Sequence, residues 1–526
     1  MENFKIIALK LSGHPFLGDL TKPGLEFVTP GEEKNGPYST VIIGPNGTGK
    51  SQLLRLIADI FEDLAYLVSH PEKKKGRLNY SYQLKIVNDD KTYLVDYKSG
   101  ISLDLTKSKL QKLKKLTIHN ITDNQSPVEL ELSVLKRIIP CNILANGFLV
   151  NDKFRFQSRN SPSNFYKYLG VRDTAGTART RTFVKSIISF ILQEVVSKDK
   201  MNDLRKIISY IGYDDQYLMI NYMARYKQSF FTGNLTVKEF SALFDDFKKF
   251  SNRDAEPYGV NYYKNVIKNN ADITKRIVAL LNELSVDFFL NSSKKNKLAF
   301  NILTNQRVND KLSLFEHLLR LDLIASPSIA FRKKSNLPTA PDVEVEKFSS
   351  GEFQLLASLI ALRVSVTPKS LVLIDEPEIS LHPNWQMSYV DMLKQIFDDT
   401  HSIHFIIATH SHFIISDLKK ETSEIIKLDK IKEQLVYYSI KGNTFGQSAE
   451  NILYNVFGLR TTRNHYFEME IRKLLSIISG THKLNNLEIQ RSEASILVNK
   501  LKNYALDEHD PLNLILAEAN EFIQPN

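Results

Sequence analysis

Cysteine is almost absent: Cys141 is the single one in 526 residues. That excludes an internal disulfide framework and a cysteine-rich zinc site, and it fits a reducing, cytoplasmic location. Long apolar runs are missing too. The nearest, Leu371 to Ile374, is the size of a strand, so no membrane span is expected. Met1 to Leu11 carries Glu2, Lys5 and Lys10 and has neither a long apolar centre nor a small-residue cleavage site, which speaks against a signal peptide. There is no internal repeat, no low-complexity tract and no sustained heptad array.

What remains is an ordinary globular balance, 42% hydrophobic and 24% charged. The length implies several domains. Lys and Arg outnumber Asp and Glu by 69 to 59, a formal charge of +10. The excess gathers at Lys73-Lys74-Lys75-Gly76-Arg77, Lys107 to Lys115, Lys294-Lys295 and Arg332-Lys333-Lys334. Such clusters suit either solvated loops and helix faces or a surface for DNA or RNA, and charge alone does not separate the two.

Short apolar runs and turn signals fill the first 45 residues, with strands expected at Phe4 to Ile7, Leu25 to Val28 and Thr40 to Ile43. A helix follows over Ser51 to Val68, with Leu53, Leu54, Ile57, Ile60 and Leu64 on one stripe. Tyr80 to Val87 and Thr92 to Tyr97 read as a hairpin, and Ile138 to Leu144 as a strand interrupted by Pro140. From Thr182 to Leu323 the pattern is largely helical, clearest at Phe183 to Val196, Met201 to Ile211, Val237 to Phe250, Ile273 to Leu284 and Leu312 to Ile324. Continuous apolar strands return at Leu371 to Ile374 and His404 to Ala408, as in a parallel sheet buried on both faces. The tail from Ser448 is helical. The expected division is 1–180, 181–325 (a helical insertion), 326–447 and 448–526.

Four motifs carry chemistry. Gly44-Pro45-Asn46-Gly47-Thr48-Gly49-Lys50-Ser51 fits G-x-x-x-x-G-K-[ST] in full. Its glycines let backbone N–H groups turn toward phosphate oxygens, Lys50 reaches the β- and γ-phosphates, and Ser51 offers a hydroxyl to Mg²⁺. This points to ATP. Asp375 and Glu376 end the apolar run Leu371 to Ile374, at the strand end where ligands of α/β sheets collect. Asp375 is placed to hold Mg²⁺ and Glu376 to polarise the attacking water. Ser349-Ser350-Gly351-Glu352 opens a helix running from Glu352 to Arg363, which suits a phosphate but is equally a capping box. His410, in Thr409-His410-Ser411, follows a buried strand and is within reach of a γ-phosphate or simply structural.

In this order the motifs resemble the ABC-type ATPase head of the SMC/RecF-like branch. The resemblance implies an α/β fold: a P-loop ATPase head with a helical insertion and a helical C-terminal tail. It makes 1–180 and 326–447 the two lobes of the head. It also makes Ser349 to Glu352 the signature motif, Ser380-Leu381-His382-Pro383 the loop that follows the acidic strand, and His410 the switch histidine. Two such heads sandwich two ATPs, so Ser349 and Gly351 would act on a partner's nucleotide.

Glu376 to Pro383, Tyr168 to Arg172 and Val456 to Arg460 further resemble the bacterial anti-phage defence ATPases, such as PtuA of Septu and retron systems and AriA of PARIS. That implies an ATP-hydrolysing regulatory subunit, a homodimer or higher even oligomer, controlling a separate effector such as an HNH or TOPRIM nuclease, with retron msDNA or phage nucleic acid as a further partner. Carboxylates or histidines in such nuclease patterns are not seen in the chain itself. A RecF-like repair ATPase and an ATP-bound scaffold with little turnover are the alternatives. The second arises because no Gln directly follows Ile143-Leu144-Ala145-Asn146, where such heads carry one; Asn146, Asp152 and Gln157 are the substitutes at hand.

Overall fold

The structure, a computed structural model, describes residues 4–29, 36–73, 76–89, 91–104, 109–122, 128–157, 165–172, 198–225, 227–246, 258–285, 297–304, 311–325, 327–334, 341–397, 402–431, 434–440, 444–459, 464–479, 487–503 and 512–524. The expected helix Phe183 to Val196 and the Lys294-Lys295 pair lie outside these residues. So do Lys74, Lys75, Lys107 and Arg460.

Along the chain come β1 (Phe4–His14), β2 (Gly18–Glu26), β3 (Tyr38–Ile43), the helix Lys50–Ser69, β4 (Ser81–Asn88), β5 (Lys91–Asp104), β6 (Lys109–Asn120), β7 (Val128–Leu130), β8 (Asn142–Gly147) and β9 (Tyr166–Tyr168). Then follow the helix Lys198–Tyr210, β10 (Tyr213–Met223), the helices Val237–Asp245 and Ala271–Leu284, β11 (Lys297–Asn301), the helix Leu312–Arg320, β12 (Ser328–Lys333) and β13 (Asp342–Glu344). The helix Ser350–Ser365, β14 (Ser370–Asp375), the helix Pro383–Phe397, β15 (His404–Ala408), β16 (Ser423–Ile431) and β17 (Gln434–Ser439) complete the first unit, Met1–Gly446.

A seven-stranded sheet of order β17-β16-β3-β15-β14-β8-β9 positions the site. All its pairings are parallel except the edge pair β16 and β17. Strands β3, β8, β14 and β15 are buried at every residue, which is why β14 and β15 carry continuous apolar runs. Their register brings Gly147, Asp375 and Ala408 level, with Ala408 opposite Ile42. A second, antiparallel sheet runs β2-β1-β4-β5-β6-β7. The helix Lys50–Ser69 joins the two sheets in one core, with Leu53, Ile57 and Phe61 clustered with Phe4 and Leu9 of β1 and with Leu373 and Ile406 of the parallel sheet.

Three expectations need correction. The strand read at Ile138 to Leu144 is a helical turn, Leu135–Ile138, followed by β8; Pro140 offers no N–H to a ladder, so pairing begins beyond it. The basic run Lys107 to Lys115 is largely strand β6, paired along its length with β5. The stretch read as a helical insertion holds its described helices but also β10 and β11, which form a four-stranded antiparallel sheet β11-β10-β12-β13. Leu218, Ile220 and Tyr222 alternate into its core, a period-two signal inside otherwise helical surroundings.

The second unit, Gln447–Asn526, is helical in its described residues. His465–Ile478, Leu487–Lys502 and Leu512–Ile523 bury one cluster that includes Leu474, Ile477, Leu497, Val498, Leu501 and Leu516. Among the described residues no helix is long and apolar enough to cross a membrane.

Candidate active site

The phosphate loop joins β3 to the helix Lys50–Ser69. Gly44 has φ 150° and Gly47 φ 79°. A Cβ on Gly44 would lie 2.2 Å from the Leu428 carbonyl oxygen, so β16 passes too close for any other residue. Gly49, at φ 90°, precedes a helix with no side-chain cap and no acidic residue in its first turn. That N-terminus keeps its N–H groups and dipole for an anion. Pro45, Asn46 and Gly47 are exposed, and Thr48 is tied to its own loop through Oγ1 to the Pro45 carbonyl, 2.9 Å. Lys50 is buried beneath the loop, where Nζ donates to the carbonyls of Gly44 (2.8 Å) and Pro45 (3.2 Å). Burial pushes its pKa down to about 8, against the pull of Glu376, Asp375 and Glu378.

The acidic strand meets this loop directly. Ser51 Oγ donates to Asp375 Oδ1 at 2.9 Å across 324 residues of sequence. Burial raises the Asp375 pKa to about 7; Ser51 draws it down and Glu376, Asp152 and Glu378 push it further up. Glu376 takes the left-handed conformation, φ 53°, while its N–H donates to the Ala408 carbonyl at 2.9 Å. A non-glycine residue held there stores strain, of a kind that gathers at functional sites. His410 Nε2 lies 3.6 Å from Glu376 Oε1, and its Nδ1 lies 3.5 Å from Lys50 Nζ. Burial and the Lys50 charge lower the His410 pKa, so the ring is neutral near pH 7.

One participant escaped the sequence motifs as a contributor in its own right. Glu378 Oε1 accepts the His410 N–H at 2.6 Å, and burial raises its pKa. The loop after β14 is further braced by Gln386, whose Nε2 donates to the Leu381 carbonyl at 2.9 Å and whose Oε1 accepts from Ser411 Oγ at 2.6 Å.

Ser349 to Glu352 stand at the start of the helix Ser350–Ser365. The capping box forms: Ser349 Oγ accepts from the Glu352 N–H at 3.2 Å, and Glu352 Oε2 from the Ser349 N–H at 2.8 Å. Burial works against the Glu352 charge, but the Ser349 and Tyr213 hydrogen bonds and Lys333 lower its pKa on balance. Ser349 and Ser350 are exposed, whereas Gly351 is buried with no room for a Cβ, which would lie 2.2 Å from the Ser380 carbonyl oxygen. The contacts of these residues run to Tyr213, Lys333 and Ser380. The structure thus gathers Gly44 to Ser51 with Asp375, Glu376 and His410, and leaves Ser349 and Ser350 exposed at a separate helix start, where Ser349 Oγ caps its own helix.

Of the substitutes for the missing Gln, Asn146 donates Nδ2 to Ser358 Oγ (2.6 Å). Asp152 accepts from Tyr168 OH and Arg172 Nη2, both at 2.6 Å. These buried partnerships account for the Tyr168 to Arg172 stretch as scaffolding. Three described members of the basic clusters have partners. Arg77 pairs with Asp63 and lies over Tyr66, Lys114 donates to the carbonyls of Gly76 and Arg77, and Arg332 pairs with Asp342 and lies over Tyr217.

Residues 32–415 match the family described as AAA ATPase domain. The protein belongs to that ATPase family. A 123-residue stretch of this ATPase is 32% identical to "Retron Vc95 probable ATPase" of Vibrio cholerae serotype O1 biovar El Tor, over 21% of this chain and 23% of that protein. Another match, 30% over 140 residues, is to "Protein ea59" of Escherichia phage lambda, over 27% and 26% of the two chains. The ATPase thus spans about a quarter of the length of each of these curated relatives. Among solved structures, an SMC head domain from Thermotoga maritima is 11% identical with a TM-score of 0.34, over 83% of this chain and 100% of that one. An Smc head domain with a coiled coil and joint, derived from Pyrococcus yayanosii, gives 11% and 0.31 over 86% and 99%. The resemblance carried by the motifs, to an ATPase head related to retron ATPases, agrees with the family match and the Vibrio relative.

Proposed function

We propose that the chain binds Mg²⁺-ATP at Gly44 to Ser51 and hydrolyses it to ADP and phosphate, and that two heads close on two nucleotides. The observation that carries this is the 2.9 Å hydrogen bond between Ser51 and Asp375, which brings the phosphate loop and the acidic strand to one point. The residues fit a divalent cation. Ser51 Oγ and Asp375 Oδ1, 2.9 Å apart, are oxygen donors of the kind such an ion takes, and Glu376 and Glu378 lie near them. Ser51 and Asp375 would hold the ion, and phosphate oxygens and water would complete its shell. The ion supplies charge neutralisation at the phosphates when bound.

The protein's own groups divide the remaining work. Lys50 lies against the β- and γ-phosphates, and the uncapped helix start adds its dipole. Glu376 accepts the proton of the attacking water, and neutral His410 donates to a γ-phosphate oxygen from Nε2. Ser349 and Ser350, exposed on their helix start, serve a partner's nucleotide rather than their own. Glu376→Gln should keep Mg²⁺-ATP affinity while phosphate release falls by about 10²-fold or more; unchanged release would remove Glu376 from the mechanism.

The cellular role we propose is regulatory: a cytoplasmic ATPase of a bacterial anti-phage system whose ATP-closed dimer holds or releases a separate effector, probed first as an HNH or TOPRIM nuclease. The partial match to the retron-named Vibrio ATPase supports this reading. Plaque counts test it. A Lys50→Ala strain should lose resistance, and full resistance in that strain would contradict it.

A further inference from the structure

The signature helix is held by the inserted segment, not only by the head. The helix Lys198–Tyr210 ends in a tight turn at Gly212, φ 90°, and β10 begins at once with Tyr213. Both tyrosines of this turn reach into the head. Tyr210 OH bonds the Trp385 carbonyl (3.1 Å) and Ser388 Oγ (2.7 Å) on the helix Pro383–Phe397. Tyr213, 1% exposed, stacks on Phe348 with centroids 4.8 Å apart and planes at 18°, and its OH donates to Glu352 Oε1 at 3.0 Å. At the other end of the signature helix, Arg363 pairs with Asp203 of the insertion at 2.6 Å, both side chains largely buried.

Glu352 is therefore shared. One oxygen takes the Ser349 N–H and completes the capping box; the other takes Tyr213 OH and faces Lys333 Nζ at 3.9 Å. A capping box needs no third member. Here a buried tyrosine from another part of the chain fixes the rotation of the carboxylate that holds Ser349. Beneath it, Gly351 rests on the Ser380 carbonyl. The helix start is pinned from two sides, while Ser349 and Ser350 remain exposed.

We infer that Tyr213 is a positioning residue for the ATP reaction. It sets Ser349 through Glu352, so the inserted sheet controls whether a partner head finds a competent signature. This rests on the two-head reading proposed above. A ligand or partner that displaces the β10 sheet reaches the nucleotide through this hydroxyl.

Tyr213→Phe in the full-length chain keeps the ring and its stack and removes only the donor. Monomer affinity for Mg²⁺-ATP should match wild type, and the melting temperature should fall only modestly, as for one lost hydrogen bond. ATP-driven dimerisation, read by sedimentation, should weaken on the order of tenfold, as for loss of a hydrogen bond to a charged group, and kcat should fall with it. The double variant Tyr213→Phe/Glu352→Ala should be no worse than Glu352→Ala alone, because both act through one carboxylate. Wild-type dimerisation in Tyr213→Phe, or additive losses in the double variant, would overturn the inference. Ser349→Arg separates the two levels. If it abolishes ATP-driven dimerisation while Tyr213→Phe does not, only the role of Tyr213 falls. If Ser349→Arg still dimerises with ATP, both readings fall together.

Discussion

Glu378 shows how much of the site depends on a residue two places beyond Glu376, the carboxylate proposed to activate water. It gives His410 its backbone anchor at 2.6 Å, and His410 in turn faces Glu376 and Lys50. Removing that acceptor leaves the His410 N–H without its partner and lets the ring drift. Glu378→Ala should lower phosphate release by roughly tenfold while leaving Mg²⁺-ATP affinity intact, since a positioned acid–base group contributes about that much or more. Glu378→Gln, which keeps the amide oxygen as acceptor, should recover most of the rate. Equal losses in both variants would mean that the charge of Glu378, not its hydrogen bond, matters. The phosphate loop, Asp375 and Glu376 were legible in the sequence because phosphate chemistry demands those residue types at fixed spacing. Glu378 was legible only as part of a matching string. Its role depends on a loop folding back across 32 residues.

At the scale of elements, the joint between the antiparallel and parallel sheets is carried by His404 at the start of β15. Its Nδ1 accepts the Ile6 N–H of β1 at 3.1 Å, so Nε2 carries the proton and donates to Thr40 Oγ1 of β3 at 2.8 Å; Thr40 passes its own hydrogen to the Phe27 carbonyl at 2.6 Å. Burial, with Lys5 nearby, pushes the His404 pKa down to about 3. The folded pKa lies below the unfolded value, so the contribution to stability is present above pH 6.5 and is lost as pH falls toward 3. A protonated ring could no longer accept from Ile6. The loss reaches on the order of 5 kcal/mol at the acid end. Melting temperature should fall between about pH 7 and about pH 4.5, and His404→Gln should flatten that slope; an unchanged slope would place the acid sensitivity elsewhere. Sequence alone showed β15 as a buried strand but not this junction, because His404 meets Ile6 across 398 residues. Strands β10 and β11 were missed for a different reason. Their period-two signal lies among helices whose longer period masks it.

At the scale of the whole molecule, one set of groups gathers around Ser51 and Asp375, and a second set, Ser349 and Ser350, stands exposed at a separate helix start. The first set is buried around Lys50 and Asp375, while the second is exposed and held by the insertion through Tyr213. An anion site at one helix start and a hydroxyl-bearing cap at another make sense together if each serves the opposite head. Hydrolysis measured in a one-to-one mixture of Lys50→Ala and Ser349→Arg tests this most directly. Each variant alone should release little phosphate. In a mixed dimer the intact phosphate loop of one chain meets the intact signature of the other, so the mixture should release phosphate well above the sum of the two alone. A mixture no more active than that sum, with both variants folded and able to associate, would contradict the shared site.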